Sequence, residues 1–272
     1  MELPTAGDAP LTRFERAGLG LLLLAVVGFG GLVLVRSAFQ QDRKTDLGVY
    51  LRAAYAVRTG VGIYDAVTCD DNGWHYCYPP PFAIVMAPLA DPYRWADRAG
   101  YLPYWLSVVV WYALSVWLAW AAADRFARTV LSDARPGSRR WWYARLVPLY
   151  VCVGGVGFTL ARGQVNILVV WLTAGMFAAA VVGRPVRAGC WLAAAVALKV
   201  IPGYLGLFLV ADRPGRAVRG VLGLVLGLAL WLVAVPAAVW GWDKTIASNR
   251  TFVDAVLAPG ALGTGDHTGR GS

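Results

Sequence analysis

The sequence predicts an all-α, polytopic membrane protein, a bundle of helices that crosses the bilayer several times. Three observations carry that expectation. Hydrophobic residues make up 58% of the 272-residue chain and charged residues only 15%, against roughly 25% charged in a soluble domain; the mean hydropathy is +0.54. Apolar runs recur at residues 17–35, 101–123, 146–161, 165–182, 188–211 and 221–240, several of them long enough to cross a bilayer as a helix. Aromatic residues gather at the ends of these runs, among them Tyr101, Trp105, Trp120, Trp141, Trp240 and Trp242, where amphipathic rings settle at the headgroup level.

Residues 1–16 form a short N-terminal segment. The uncharged run 17–35 is followed by Arg36-Ser37-Ala38-Phe39-Gln40, which offers no clear small-residue cleavage site. It therefore reads as a retained first span, not a signal peptide. The transmembrane body extends over 17–241 and includes a polar loop at 36–100. In that loop Asp46 begins a segment whose Leu47, Tyr50, Leu51 and Ala54 fall at helical spacing. This predicts an amphipathic helix lying along the membrane surface, with Arg52 and Arg58 facing headgroups. Asp46 reads either as the cap of that helix or as a rigidly held acid–base group, and the two roles are compatible. The loop closes on Tyr78-Pro79-Pro80-Pro81-Phe82, a stiff elbow with fixed φ and three missing donors. It is either a rigid connector or a wall holding the Asp46 helix over a cavity. Cys69 and Cys77 in the same loop predict a disulfide if the compartment is oxidising.

The net charge of +9 is first a topology signal. Arg125, Arg128, Arg135, Arg139, Arg140 and Arg145 outnumber Asp124 and Asp133 after the second long run. Positive loops stay cytoplasmic, as do Arg13 and Arg16 before the first run. The loop at 36–100 is thereby placed on the outer, periplasmic face of a cell (inner, cytoplasmic) membrane. No nucleic-acid partner is called for; membrane lipids are. One conflict follows: residues 183–187 and 212–219 are both basic although the run 188–211 separates them. That run is either a kinked span or a re-entrant hairpin turning at Lys199-Val200-Ile201-Pro202. Residues 242–272 read as an outer loop or a shortened tail, with linker composition from Pro259 onward.

Few polar groups remain to carry chemistry. Lys199 lies midway through an apolar run, where an ammonium costs on the order of 2.5–3.5 kcal/mol and is functional by default. An anionic phosphate would offset that cost; a salt bridge to another span is the plainer alternative. Arg162, Gln164 and Asn166 cluster around Gly163 between two runs, more polarity than a turn requires, although Arg162 alone reads as interfacial snorkelling. Cys152 and Cys190 sit in apolar runs and read as buried packing residues. No Cys/His cluster has metal-ligand spacing, and no phosphate-binding glycine loop or nucleophile elbow occurs. Gly223 and Gly227 form a small-residue face that suggests ordinary helix packing.

Taken in order, Asp46-x-x-Val49-Tyr50, Ala53-Ala54, Gly62-x-Tyr64, Tyr78-x-Pro80-x-Phe82, Gly163-Gln164-x-Asn166 and Lys199-x-x-Pro202 resemble glycosyltransferase family 87. These are polyprenol-phosphate-mannose-dependent α-mannosyltransferases of the GT-C superfamily. The resemblance implies a GT-C-type bundle that takes a sugar, mannose, from a polyprenyl-phosphate donor on the outer face; it does not fix the acceptor, for which a glycan or glycolipid is expected. It implies Asp46 as general base; the leaving phosphate then needs a cation, which Lys199 or Arg162 would supply, and Tyr50, Tyr64, Tyr78, Pro80, Gln164 and Asn166 are expected around the substrate cavity. The lipid-linked sugar is a substrate, no cofactor is needed, and a fixed cation can stand where other transferases use a metal. Family members continue through further spans, so the resemblance also implies a C-terminally shortened member. Two other readings compete: a multi-pass transporter or flippase-like carrier, which a broken span and a buried lysine suit, and an inactive truncated fragment.

Overall fold

The computed structural model describes residues 9–40, 45–64, 75–93 and 95–259. The described residues are helical almost throughout, and none forms a strand beyond an isolated bridge between Pro10 and Ser138. Among the described residues three helices are long and apolar enough to cross a membrane, at Arg13–Phe39, Tyr104–Val130 and Pro214–Trp240. A fourth crossing is available to a pair of helices bent by 60°.

Helix α1 (Arg13–Val35) starts with a capping box in which Thr12 and Glu15 satisfy each other's exposed groups. It has no buried residue; its apolar surface is what lipid would cover. Glu15 also accepts from Tyr143 at 2.8 Å and pairs with Arg139 at 2.8 Å, tying the start of α1 to α5 (Arg139–Val151). The basic loop between α4 (Tyr104–Val130) and α5 is held at that end by Arg145, which is buried, pairs with Asp124 at 2.8 Å and lies over the Trp141 ring. With 27 residues, α4 is roughly 40 Å long and separates this basic end from the end that carries Asp46.

Helix α2 (Asp46–Thr59) departs from the expected surface helix. Leu47 to Ala54, with Ala56 and Val57, are all buried, and the helix forms the centre of the main core with Phe82, Met86, Trp111 and Val165. Arg52, expected to face headgroups, is buried over the Tyr93 ring and reaches the Asp91 carbonyl. Arg58 lies on the Tyr101 ring and donates to the Gly100 carbonyl at 3.1 Å. The reason is composition: Gly48, Ala53, Ala54 and Ala56 make the helix narrow enough to be enclosed, and aromatic rings take up the two guanidinium groups. The proline elbow does begin a helix, α3 (Pro80–Met86), with proline in the first turn, where the missing donor costs nothing.

Helix α5 bends into α6 (Val153–Arg162), which ends at Gly163 with φ +66°. Helix α7 (Asn166–Val181) returns, and α8 (Pro185–Leu198) runs alongside it. After α8 the chain reverses through Lys199 and a tight helical turn at Ile201–Leu205 into α9 (Gly206–Val210). Leu209 packs with Ala188 and Leu192, and Gly183, Pro185, Asp212 and Arg216 line one cavity. The two basic flanks therefore lie on the same side, and the run 188–211 is a hairpin turning at Lys199–Pro202.

Helix α10 (Pro214–Ala229) presses Gly220, Gly223 and Gly227 against α8. A Cβ on Gly223 would lie 2.2 Å from the Val186 carbonyl, so the small-residue face serves packing within the chain. Helices α11 (Val235–Trp240) and α12 (Trp242–Phe252) follow. The stretch after Trp242, expected as loop or tail, is helical and folded: Thr245 and Phe252 are buried, and Lys244 donates to the Gly60 carbonyl at 3.0 Å. Cys152 and Cys190 are exposed, not buried.

Candidate active site

Four residues that sequence singled out separately form one line of hydrogen bonds. Gln164 Nε2 donates to Asp46 Oδ2 at 2.7 Å, Asn166 Nδ2 donates to Gln164 Oε1 at 2.7 Å, and Lys199 Nζ donates to Asn166 Oδ1 at 2.7 Å. All four are half-buried, so the line borders accessible space. Three separate elements supply it: the first residue of α2, the α6–α7 turn and the hairpin tip after α8.

Each element is locally well determined. The cap of α2 is Thr45, whose hydroxyl accepts from the Gly48 amide at 3.4 Å. Asp46 is the residue after it, so its carboxylate is released from capping and sits in the first turn, where the helix dipole favours an anion. The α6–α7 turn is pinned from α4: Trp111 Nε1 donates to the Gly163 carbonyl at 2.9 Å, and Tyr112 donates to the Leu160 carbonyl. The Gln164 amide closes the turn on the Thr159 carbonyl at 2.9 Å. Lys199 is extended backbone at the end of α8 and stands at the level of Asn166, so the hairpin delivers its ammonium to the site instead of leaving it inside a straight span. Its partner is an amide and not the carboxylate of another helix.

The aromatic residues build the wall. Tyr50 donates to the Tyr78 hydroxyl at 2.9 Å, and its ring meets Tyr78 and Phe82 edge-on. Tyr64 donates to the Tyr78 carbonyl at 2.9 Å and Tyr76 to the Pro79 carbonyl at 3.0 Å. The Lys199 ammonium is 5.9 Å from the Tyr78 ring centre, near the limit of a cation–π contact. Burial holds the phenol of Tyr78 protonated, its pKa pushed up to about 12, and raises Tyr50, Tyr64 and Tyr76 as well. These phenols stay neutral at any physiological pH; Tyr50, Tyr64 and Tyr76 donate hydrogen bonds, the Tyr78 hydroxyl accepts one, and none is a base.

Of the remaining expected residues, Pro80 is buried at the start of α3 and shapes the elbow without joining the polar line. Arg162 is exposed at the end of α6, with its guanidinium over the Phe158 ring at 5.1 Å, the snorkelling geometry. Cys77 has no disulfide among the described residues, and Cys69 lies outside them. Among the described residues no group of His, Cys, Asp and Glu could hold a metal ion. A cavity of about 160 Å³ opens beyond Tyr64, lined by Trp240, Lys244, Ser248 and Thr251 together with residues 60–63. Nothing in the sequence pointed to it, because α12 is too polar to register as an apolar run. Thr45, Trp111 and Tyr112 were likewise missed; a threonine directly before the acid was the available signal for the first.

Fold and site together define a polytopic helical membrane protein with an acid, two amides and a lysine aligned at one end of the bundle. A model of Glycosyltransferase family 87 matches residues 76–265, most of the chain, and the protein belongs to that family: it is an enzyme that transfers a glycosyl group. The matched region holds Tyr78, Pro80, Gln164, Asn166 and Lys199 and begins beyond Asp46. No curated protein and no solved structure matches the chain.

Proposed function

We propose that this glycosyltransferase moves mannose from a polyprenyl-phosphate donor to an acceptor hydroxyl at the outer face of a cell membrane, with Asp46 as general base. The observation that carries the reading is the pairing, in one half-buried line, of a carboxylate and an ammonium that do not touch each other. The acceptor oxygen attacks the anomeric carbon and gives its proton to Asp46. The bond from that carbon to the donor phosphate oxygen breaks, and both electrons leave on the phosphate. Carboxylates do such proton transfers when positioned, and a fixed cation stabilises charge developing on a leaving group.

Lys199 is favoured over Arg162 for the phosphate because it shares the line with Asp46, whereas Arg162 is exposed over Phe158. Asp46 carries two oxygens, and the line uses Oδ2, which leaves Oδ1 for a proton. An outer-face site is supported by the arginine-rich α4–α5 loop at the far end of α4. The cavity beyond Tyr64 is the space best suited to an acceptor glycan, since it combines an indole ring, two hydroxyls and an ammonium. The deciding experiment follows transfer of labelled mannose from polyprenyl-phosphate mannose in membranes carrying the protein or its Asp46→Asn variant. Wild-type rates from that variant, in folded protein, would remove Asp46 as the base.

A further inference from the structure

The line between Asp46 and Lys199 has only one possible direction. A lysine ammonium only donates hydrogen bonds, and an ionised carboxylate only accepts them. Lys199 therefore fixes the Asn166 oxygen toward itself and the Asn166 nitrogen toward Gln164. The Gln164 oxygen takes that bond, and its nitrogen faces Asp46. Amide orientation is ordinarily an assignment from the network; here the two charged ends determine it. Two neutral amides thus stand where attraction between opposite charges would otherwise draw acid and base into contact. Both amides sit on the α6–α7 turn that Trp111 and Tyr112 pin from α4, so the spacer is rigid.

We propose that Gln164 and Asn166 are positioning residues, a two-amide spacer that aligns the Asp46 carboxylate with the Lys199 ammonium while keeping them from neutralising each other as an ion pair. A direct pair would turn the carboxylate's accepting oxygen and the ammonium's donors toward each other and away from substrate. The spacer engages one oxygen of Asp46 and one donor of Lys199; among the described residues nothing else hydrogen-bonds the second oxygen or the other two donors. Among the described residues, the titratable groups shown to feel the Asp46 charge are Lys199 at the end of α8, Tyr50 from α2, and Cys77 and Tyr78 from the elbow. Lys199 is the single cation among them. This inference rests on the reading of Asp46 as base and Lys199 as phosphate ligand.

Two nearly isosteric substitutions test it in the full-length protein. Asn166→Asp gives Lys199 a carboxylate in place of an amide oxygen. Equilibrium binding of a short-chain polyprenyl phosphate should weaken about tenfold or more, since an ammonium already paired with a carboxylate attracts a phosphate less. Gln164→Glu puts a second carboxylate beside Asp46, and two such groups share a proton. The acidic limb of the kcat–pH profile should move up by about one unit or more, with activity regained at higher pH. A merely structural turn predicts neither effect: each variant keeps the shape of the side chain it replaces, and the one N–H donor it loses would lower stability without moving phosphate affinity or the pH profile. Wild-type phosphate binding in Asn166→Asp, or an unmoved profile in Gln164→Glu, overturns the spacer. If one variant fails to fold, the other decides from the opposite end. Failure of the base assignment reads differently: Asp46→Asn would then be active, while the phosphate-binding loss in Asn166→Asp would persist.

Discussion

Leu47 packs directly on the α-carbon of Gly163, so closely that a Cβ added there would lie 2.6 Å from the Leu47 Cβ. The contact joins the first turn of α2, which carries Asp46, to the turn that carries Gln164. Gly163 also holds φ +66°, where an L side chain is strained. The acid and its amide partner are thus adjacent because a glycine lets two backbones approach.

Gly163→Ala should accordingly be destabilising on two counts, the left-handed backbone at about 1 kcal/mol or more and overpacking at about 1–3 kcal/mol. A lowered thermal midpoint together with reduced transfer activity is the expected result. Thermal unfolding in detergent and a transfer assay on the same preparation check it.

Asp46 and Thr45 should separate chemistry from capping. Asp46→Asn keeps the side-chain shape and is expected to lose about 10²–10⁴-fold in kcat without loss of stability. Thr45→Ala removes the cap and should cost about 1 kcal/mol of stability with a much smaller change in rate. Parallel melting curves and turnover measurements distinguish the two, and the opposite pattern would return Asp46 to a structural role.

How much of this was legible in the sequence differs between the helices and the site. The long spans were readable because lipid-facing helices are apolar all round, and Asp46, Gln164, Asn166 and Lys199 stood out because polar groups beside apolar runs need a reason. Their union could not be read, since it depends on the hairpin at Pro202 and on tertiary contacts across three elements. The basic flanks at 183–187 and 212–219 did expose that hairpin as one of two options. Arg52 misled because periodicity assigns a charged residue to the surface, while the rings of Tyr93 and its neighbours make a protein environment for it. Helix α12 was missed because its Asp243, Lys244, Asn249 and Arg250 dilute any apolar pattern.

Sidedness is open to labelling. In a background lacking native cysteines, His75→Cys should react with an impermeant thiol reagent in intact cells, and Ser132→Cys only after lysis. Both positions are exposed in the fold. The reverse pattern would put the Asp46 end on the cytoplasmic side and overturn the proposed donor face.

The phenol of Tyr78 gives a pH dependence with a definite sign. Its folded pKa, about 12, lies above the usual value near 10, so folding favours the protonated form. The stabilisation is complete below about pH 10 and is lost progressively as pH rises from there toward 12. Tyr78→Phe should make that alkaline decline shallower in a stability–pH profile, the raised phenols of Tyr50, Tyr64 and Tyr76 supplying what remains of it, and leave the profile between pH 5 and 9 unaltered.

Trp240→Ala tests the cavity beyond Tyr64. If that space receives the acceptor, KM for the acceptor should rise about tenfold, the worth of a ring contact of roughly 1.4 kcal/mol, while KM for the donor stays constant. Equal changes in both constants would assign Trp240 to packing alone.

The reversal at Lys199–Pro202 also sets the parity of the chain. A straight crossing there would send α10 off from the Asp46 end and strand everything after it on the arginine-rich side. Because the hairpin contributes no net crossing, α10 starts among the arginines and returns to the Asp46 end. Phe252 can then stack on Tyr64, 6.3 Å between ring centres, and Lys244 can reach Gly60. One break in a helix thereby decides on which side of the bilayer a segment some forty residues later comes to rest, and with it whether the cavity beyond Tyr64 has a second wall.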